Sequence, residues 1–177
     1  MVWSCLVSIL PGMAQTEKLT DYVNPFVGTD GYGNVYPGAQ IPFGGIQISP
    51  DTDSRFYDAA SGYKYNHLTL MGFSLTHLSG TGIPDLGDFL FIPGTGEMKL
   101  EPGTHEDPDQ GYRSRYSHDK EWASPNYYAV ELADYGVKAE MTSGVRSGMF
   151  RFTYPESDNA FIMIDMNHTL WQSCEWS

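Results

Sequence analysis

The sequence predicts an all-β fold, an antiparallel β-sandwich, and three observations carry that expectation. Apolar residues recur at period two or in short runs, and no window holds an i, i+3, i+4, i+7 stripe over a dozen residues. Strand-like segments come at roughly ten-residue spacing with turn-forming clusters between them, the rhythm of a sandwich rather than of an α/β fold. Aromatic residues make up 14% of the chain beside 19 Gly and 11 Pro, which suits short strands joined by tight turns.

Taken in order, Gly45-Ile46-Gln47-Ile48-Ser49 alternates and reads as the first clear strand. Phe89-Leu90-Phe91-Ile92 reads as a buried strand ended by Pro93-Gly94. Residues 127–132, 137–142, 147–154 and 160–166 complete the series. Between them, Ala133-Asp134-Tyr135-Gly136 and Pro155-Glu156-Ser157-Asp158-Asn159 are turn chemistry. Residues 28–88 differ. That stretch is rich in Gly, Pro, Asp, Asn and His and poor in strands, and long loops in a compact domain are usually functional surfaces.

The 177 residues allow one domain, or most of one, that buries roughly 70% of its unfolded surface. A composition 41% hydrophobic and 18% charged excludes disorder. The formal charge of −12 comes from 22 acidic and 10 basic side chains, without any run of Lys or Arg. A phosphate backbone would be repelled, so no nucleic-acid partner is expected. The same acidity suits neutral sugars or divalent cations. The two cysteines, Cys5 and Cys174, have no metal-ligand spacing and imply no disulfide framework.

Residues 1–15 look like a secretory signal peptide, with an apolar run over 2–10 followed by Pro11, Gly12 and Met13-Ala14-Gln15. The segment is atypical, because no Lys or Arg precedes Lys18. It is also far short of the ~20 residues that span a bilayer, so no transmembrane segment is expected. A secreted or periplasmic location follows. Residues 19–177 then form the sandwich domain, expected to be truncated at its C-terminus, since the tail 171–177 follows a strand without a turn or polar cap.

Three blocks carry a family resemblance. The first is Tyr22-Val23-Asn24-Pro25-Phe26-Val27-Gly28-Thr29, running on to Tyr36-Pro37-Gly38-Ala39-Gln40-Ile41-Pro42-Phe43-Gly44 and Ser49-Pro50-Asp51-Thr52. The second is Ser61-Gly62-Tyr63-Lys64-Tyr65, then Gly72-Phe73-Ser74-Leu75-Thr76-His77-Leu78-Ser79-Gly80-Thr81-Gly82 and Pro84-Asp85-Leu86-Gly87-Asp88. The third is Tyr116-Ser117-His118-Asp119-Lys120-Glu121-Trp122-Ala123-Ser124-Pro125-Asn126-Tyr127-Tyr128, with residues 142–154 after it. Collinear over about 150 residues, from Leu19 to His168, they resemble the N-terminal domain of glycoside hydrolase family 92. The chain departs from the family pattern at Tyr32-Gly33-Asn34, where a His is common, and at Phe56-Tyr57-Asp58, where a Trp commonly precedes Asp. A third departure is Phe150-Arg151, where the family often has a His-Arg pair.

The resemblance implies an N-terminal β-sandwich packed on a larger helical domain, with the active site between them. It implies exo-cleavage of terminal α-linked mannose from glycans, with inversion and with Ca²⁺ assistance. Both catalytic carboxylates and most calcium ligands would then belong to the helical domain, absent here, so no residue of this chain is expected to be the acid or base. What the sandwich is expected to add is part of the sugar pocket. The candidates are Asp30, Tyr32 and Asn34 in the first Gly-rich loop, Tyr57 and Asp58 in the second, and His77, Ser79, Thr81, Asp85 and Asp88 beyond it. The structural alternatives stay open beside these roles: turn bracing for Asp85 and Asp88, and a satisfied core histidine for His77. His118 and Glu121 read as structural rather than as an acid–base pair. Two other functions compete, a stand-alone carbohydrate-binding sandwich and an inactive truncated gene product.

Overall fold

The computed structural model describes residues 17–54 and 57–170, and the Asp58 side chain lies outside what it describes. The signal-like segment 1–15, both cysteines and the tail 171–177 lie outside the described residues.

Two four-stranded antiparallel sheets make the sandwich. The first is ordered β1 (Ser49–Asp51), β3 (Gly72–Ser74), β6 (Leu90–Thr95), β12 (Ala160–Asp165). The second is ordered β11 (Gly148–Thr153), β10 (Val137–Ser143), β9 (Tyr127–Leu132), β8 (Glu121–Ser124). Two small ribbons flank them, β2 (Thr69–Leu70) with β7 (Ser114–Arg115) and β4 (Thr76–His77) with β5 (Leu86–Gly87). The helical content of the described residues is four short 3₁₀ turns, at Leu19–Tyr22, Tyr57–Ala59, Pro108–Gln110 and His118–Lys120. The expected all-β antiparallel sandwich is the fold observed.

Register explains why the second sheet has a dry face. Val137, Ala139 and Met141 stand opposite Leu132, Val130 and Tyr128, so the inward residues of β10 meet the inward residues of β9. On the other side of β10, Phe150 and Phe152 of β11 oppose Met141 and Ala139 and share that face. They cross the sandwich to the first sheet. The Phe91 and Phe150 rings lie 4.8 Å apart and the Phe73 and Phe152 rings 6.2 Å apart, in the range where aromatic pairs attract. Ile48, Phe73, Tyr128, Val130 and Val137 are wholly buried there, each side chain adding about 1.5–3 kcal/mol by leaving water.

The structure corrects two strand expectations. β6 does not stop at Pro93 but runs through it to Thr95, paired with β12 from Ala160–Thr95 to Asp165–Leu90. β3 meets β6 at the pair Phe73–Phe91, so Pro93 lies beyond that ladder and its missing N–H is tolerated. Gly94 is needed for closeness, since a Cβ there would stand 2.4 Å from the Phe161 ring. The second correction concerns residues 45–49. Only Ser49 enters a strand, and the preceding stretch is tied by the Ala39–Ile48 bridge and by Gln47 N donating to Leu75 O at 2.9 Å.

Candidate functional site

Loops 28–36, 57–65 and 78–85 gather at one end of the sandwich, and a buried polar group holds them to the first sheet. Asp51, on β1, has no exposed side-chain surface, and its two oxygens accept from His77 Nε2 at 2.8 Å and His168 Nε2 at 2.7 Å. Burial alone pushes the Asp51 carboxyl up, but the charges and hydrogen bonds of the two imidazoles outweigh it and hold the group well below the usual carboxylate range. His77 Nδ1 meets Gln47 O at 2.7 Å, and its ring lies 5.0 Å from the Tyr36 ring. His77 is thus a buried histidine with both nitrogens bonded. No sugar-facing edge is left to it.

The remaining loop candidates meet one another. Gly80 N donates to Asn34 O at 2.7 Å, which ties loop 78–85 to the first Gly-rich loop. A methyl group on Gly82 would lie 3.2 Å from Asn34 Nδ2 and 3.6 Å from Tyr57 Oη, so three loops converge at one glycine. Lys64, largely buried, donates from Nζ to Gly31 O at 2.7 Å and anchors the first loop from below. Tyr32 stands 92% exposed and Tyr57 64% exposed around this point, while Asp30, Ser79 and Thr81 are exposed on the same loops. Thr81 Oγ1 is engaged locally, donating to Ile83 O at 3.1 Å.

Asp85 and Asp88 fall elsewhere. Asp85 Oδ1 accepts from Leu86 N at 2.8 Å, and Asp88 Oδ2 accepts from Thr76 Oγ1 at 2.7 Å. Both line a cleft of about 560 Å³ whose other walls are Leu86, Phe89 and residues 166–169. The sequence brought them into one cluster with Thr81, but the β4–β5 hairpin divides that cluster between two surfaces. Two residues that build the buried polar group had no joint signal in the sequence: Asp51 and His168 are 117 positions apart, so only the fold juxtaposes them.

His118 and Glu121 form part of the core rather than of a cleft. Glu121 accepts from His118 Nδ1 at 2.6 Å, Tyr63 Oη at 3.0 Å and Tyr128 Oη at 2.5 Å. Burial comes first in keeping the Tyr63 and Tyr128 hydroxyls protonated far above their ordinary range, aided by Tyr116 and then Glu121 at Tyr63 and by Glu121 at Tyr128.

Calcium requires six to eight hard oxygen ligands. Among the described residues no group of three His, Cys, Asp or Glu side chains is arranged to hold a metal ion. Asp51 is closed between two imidazoles, and Asp85 and Asp88 supply too few oxygens for the six to eight that calcium takes, so these residues do not by themselves fit a calcium site.

Comparison with known proteins places this geometry. Residues 22–177 match the family model described as the glycosyl hydrolase family 92 N-terminal domain. A curated relative, an uncharacterized secreted glycosidase of Arthroderma benhamiae, is 30% identical over 139 residues, covering 77% of this chain and 17% of that protein. The solved structure of the GH92 family glycosyl hydrolase CcMan5 superposes with a TM-score of 0.70 at 29% identity, over 85% of this chain and 21% of that one. The family GH92 inverting mannosidase BT2199 from Bacteroides thetaiotaomicron gives a TM-score of 0.67 at 28% identity, over 85% and 20%. The chain therefore spans about a fifth of the length of these relatives. No helix among the described residues is long and apolar enough to cross a membrane. With the family model matched over nearly its whole length and the sandwich superposing on two members, the chain belongs to glycosyl hydrolase family 92 and carries that family's N-terminal domain.

Proposed function

We propose that this chain is the scaffold part of a secreted exo-α-mannosidase that removes terminal α-linked mannose from glycans with inversion. In this reading the sandwich supplies a rim of the sugar pocket, while the catalytic acid and base and the calcium site belong to a helical partner domain. The observation that carries it is the convergence of Asn34 and Tyr57 on Gly82, beside the exposed Tyr32. Amide and phenol groups suit sugar hydroxyls, aromatic faces suit sugar C–H faces, and glycine lets the ligand approach the backbone.

The chemistry of the carboxylates supports the division of labour. Inversion needs one carboxyl kept protonated near neutrality and a second about 6.5–9.5 Å away with room for water. Among the described residues the enclosed carboxylates are occupied otherwise: Asp51 by two histidines, Asp53 by His105, Glu121 by two tyrosines and a histidine, and Glu140 by Arg151 and Tyr127. Asp51 and Glu140 are moreover held below the ordinary carboxylate range, opposite to what a general acid requires.

The test is to express the domain joined to the sequence encoded downstream and to assay α-mannobiose hydrolysis by proton NMR. Release of β-mannose as the first anomer, lost on chelation of calcium, is expected. The 177-residue chain by itself should release none. Mannose release by the chain alone, or α-mannose as the first product of the joined protein, overturns the proposal.

A further inference from the structure

We propose that Asn167 is an acceptor site for asparagine-linked glycosylation, taking an oligosaccharide from a lipid-pyrophosphate donor while the nascent chain enters a secretory compartment. The inference rests on the secreted location within the proposed function and is independent of the mannosidase activity.

The motif comes first. Of the six asparagines in the chain, only Asn167 is followed two residues on by Ser or Thr with a residue other than proline between, in Asn167-His168-Thr169. A motif this short arises by chance, so the fold has to supply a second observation: the site must accept a bulky hydrophilic group at the surface.

The fold supplies it. β12 ends at Asp165, and Met166 and Asn167 form the turn that follows. Asn167 N donates to Asp165 Oδ1 at 2.9 Å, which fixes the turn through the backbone and leaves the Asn167 side chain out of it. Asn167 is exposed, and its side-chain amide makes no hydrogen bond among the described residues. Asn34 and Asn126, by contrast, spend their amides on Tyr32 O and Ser143 O. The one asparagine with the motif is thus one whose amide nitrogen the fold does not use.

The same contacts dictate when transfer takes place. An acceptor peptide has to leave the surface to enter an enzyme groove, and in the folded domain the residues after Asn167 are pinned. His168 donates to Asp51 Oδ2 at 2.7 Å, Thr169 bridges to Gly87, and Leu170 N donates to Leu86 O at 2.8 Å. Transfer therefore precedes closure of the sandwich. Nδ2 of Asn167 attacks the anomeric carbon of the donor's first sugar, and the bond from that carbon to the phosphate oxygen breaks. The lipid pyrophosphate leaves with the electron pair, and a base of the transferase takes the amide proton. After folding, the glycan stands beside Phe89 and Met166, which line one cleft with Asn167 and are 42% and 71% exposed. A hydrated oligosaccharide there screens apolar surface that would otherwise promote association.

The experiment is cell-free translation of the 177-residue chain with endoplasmic-reticulum microsomes, read by gel mobility and glycopeptide mass spectrometry. It needs no folded product, so variants that disturb folding stay readable. The chain is tested with its own first residues and again behind a supplied signal sequence of known efficiency. Behind the supplied signal, one glycan should be added, and peptide N-glycosidase should remove it and leave aspartate in place of Asn167. Asn167→Gln and Thr169→Ala should abolish the mobility shift, and Thr169→Ser should retain it. An imported chain that stays unmodified, or a shift that survives Asn167→Gln, overturns the proposal. Modification behind the supplied signal alone upholds the acceptor site and counts against the secreted location instead.

Discussion

Asp51 and His168, 117 positions apart in the chain, meet at 2.7 Å in the interior, and His77 closes on the other oxygen of the same carboxylate. Removing one partner of a buried, hydrogen-bonded charge group typically costs about 3–5 kcal/mol. Asp51→Ala should therefore lower the melting temperature by about 10 °C in calorimetry, given the ~2–4 °C per kcal/mol of a domain this size. Asp51→Asn should cost less, because the amide still accepts from one imidazole. Equal melting points for the two variants would show that the hydrogen bonds are unimportant there.

Acid sensitivity follows from a second carboxylate. Hydrogen bonds from Arg151, then Tyr127, draw Glu140 down to about 2 from its ordinary 4.5. A depressed folded value means the stabilisation is complete above about pH 4.5 and is lost as pH falls toward 2. Arg151→Ala should return the Glu140 titration, followed by carboxyl carbon NMR, toward 4.5. An unchanged midpoint in that variant would disprove the role of the guanidinium. Asp51 adds to the same acid limb, since its folded value is also depressed.

At the alkaline end the sign reverses. Burial raises Tyr63, Tyr116 and Tyr128 above the ordinary value of 10, so the fold favours their neutral forms. Stability from these hydroxyls is complete below about pH 10 and declines above it. Ultraviolet titration should show these tyrosines ionising together with loss of near-ultraviolet circular dichroism. Smooth ionisation of every tyrosine near pH 10 in a folded protein would contradict the burial.

Much of the fold was legible because antiparallel strands leave a local signature. Residues 127–132 and 137–142 were found nearly to the residue, since inward Tyr128, Val130, Val137 and Ala139 alternate with outward Glu131 and Lys138. The end of β6 was not, because Pro93-Gly94 reads as a turn wherever neighbouring strands are unknown. The two-residue strands β2, β4, β5 and β7 carry too few positions for any period to show. The site divides the same way. The Gly-rich composition marked loops 28–36 and 57–65, which the fold brings together at Gly82, whereas the partnership of Asp51 with His168 is a long-range contact with no local pattern.

The first loop tests how closely backbone must approach backbone. A Cβ on Gly33 would lie 2.1 Å from Gly28 O, and no side-chain rotation relieves a clash with main chain. Gly33→Ala should open residues 28–34 and speed amide exchange at Gly80, whose N–H bonds Asn34 O. Gly45→Ala is the matched control, because its Cβ would meet nothing nearer than Val145 O at 3.6 Å. Similar exchange in both variants would sink the assignment of Gly33 as the closure of that loop.

The rim itself is best probed in the protein joined to its downstream sequence. Asn34 and Tyr57 approach Gly82 from different loops and neither is buried, so truncating them opens no cavity and tests the proposed sugar contacts directly. A rim contact made equally to bound substrate and to the transition state raises KM and leaves kcat alone. Tyr57→Ala should raise KM for α-mannobiose about tenfold, on the scale of one lost aromatic contact plus a hydrogen bond. Asn34→Ala should raise it about fivefold. The double variant should fall short of the product if both side chains touch one sugar ring, since neighbours sharing a partner are not additive. A loss confined to kcat would instead place these residues at the reacting bond, and unaltered kinetics would remove loops 28–36 and 57–65 from the pocket altogether.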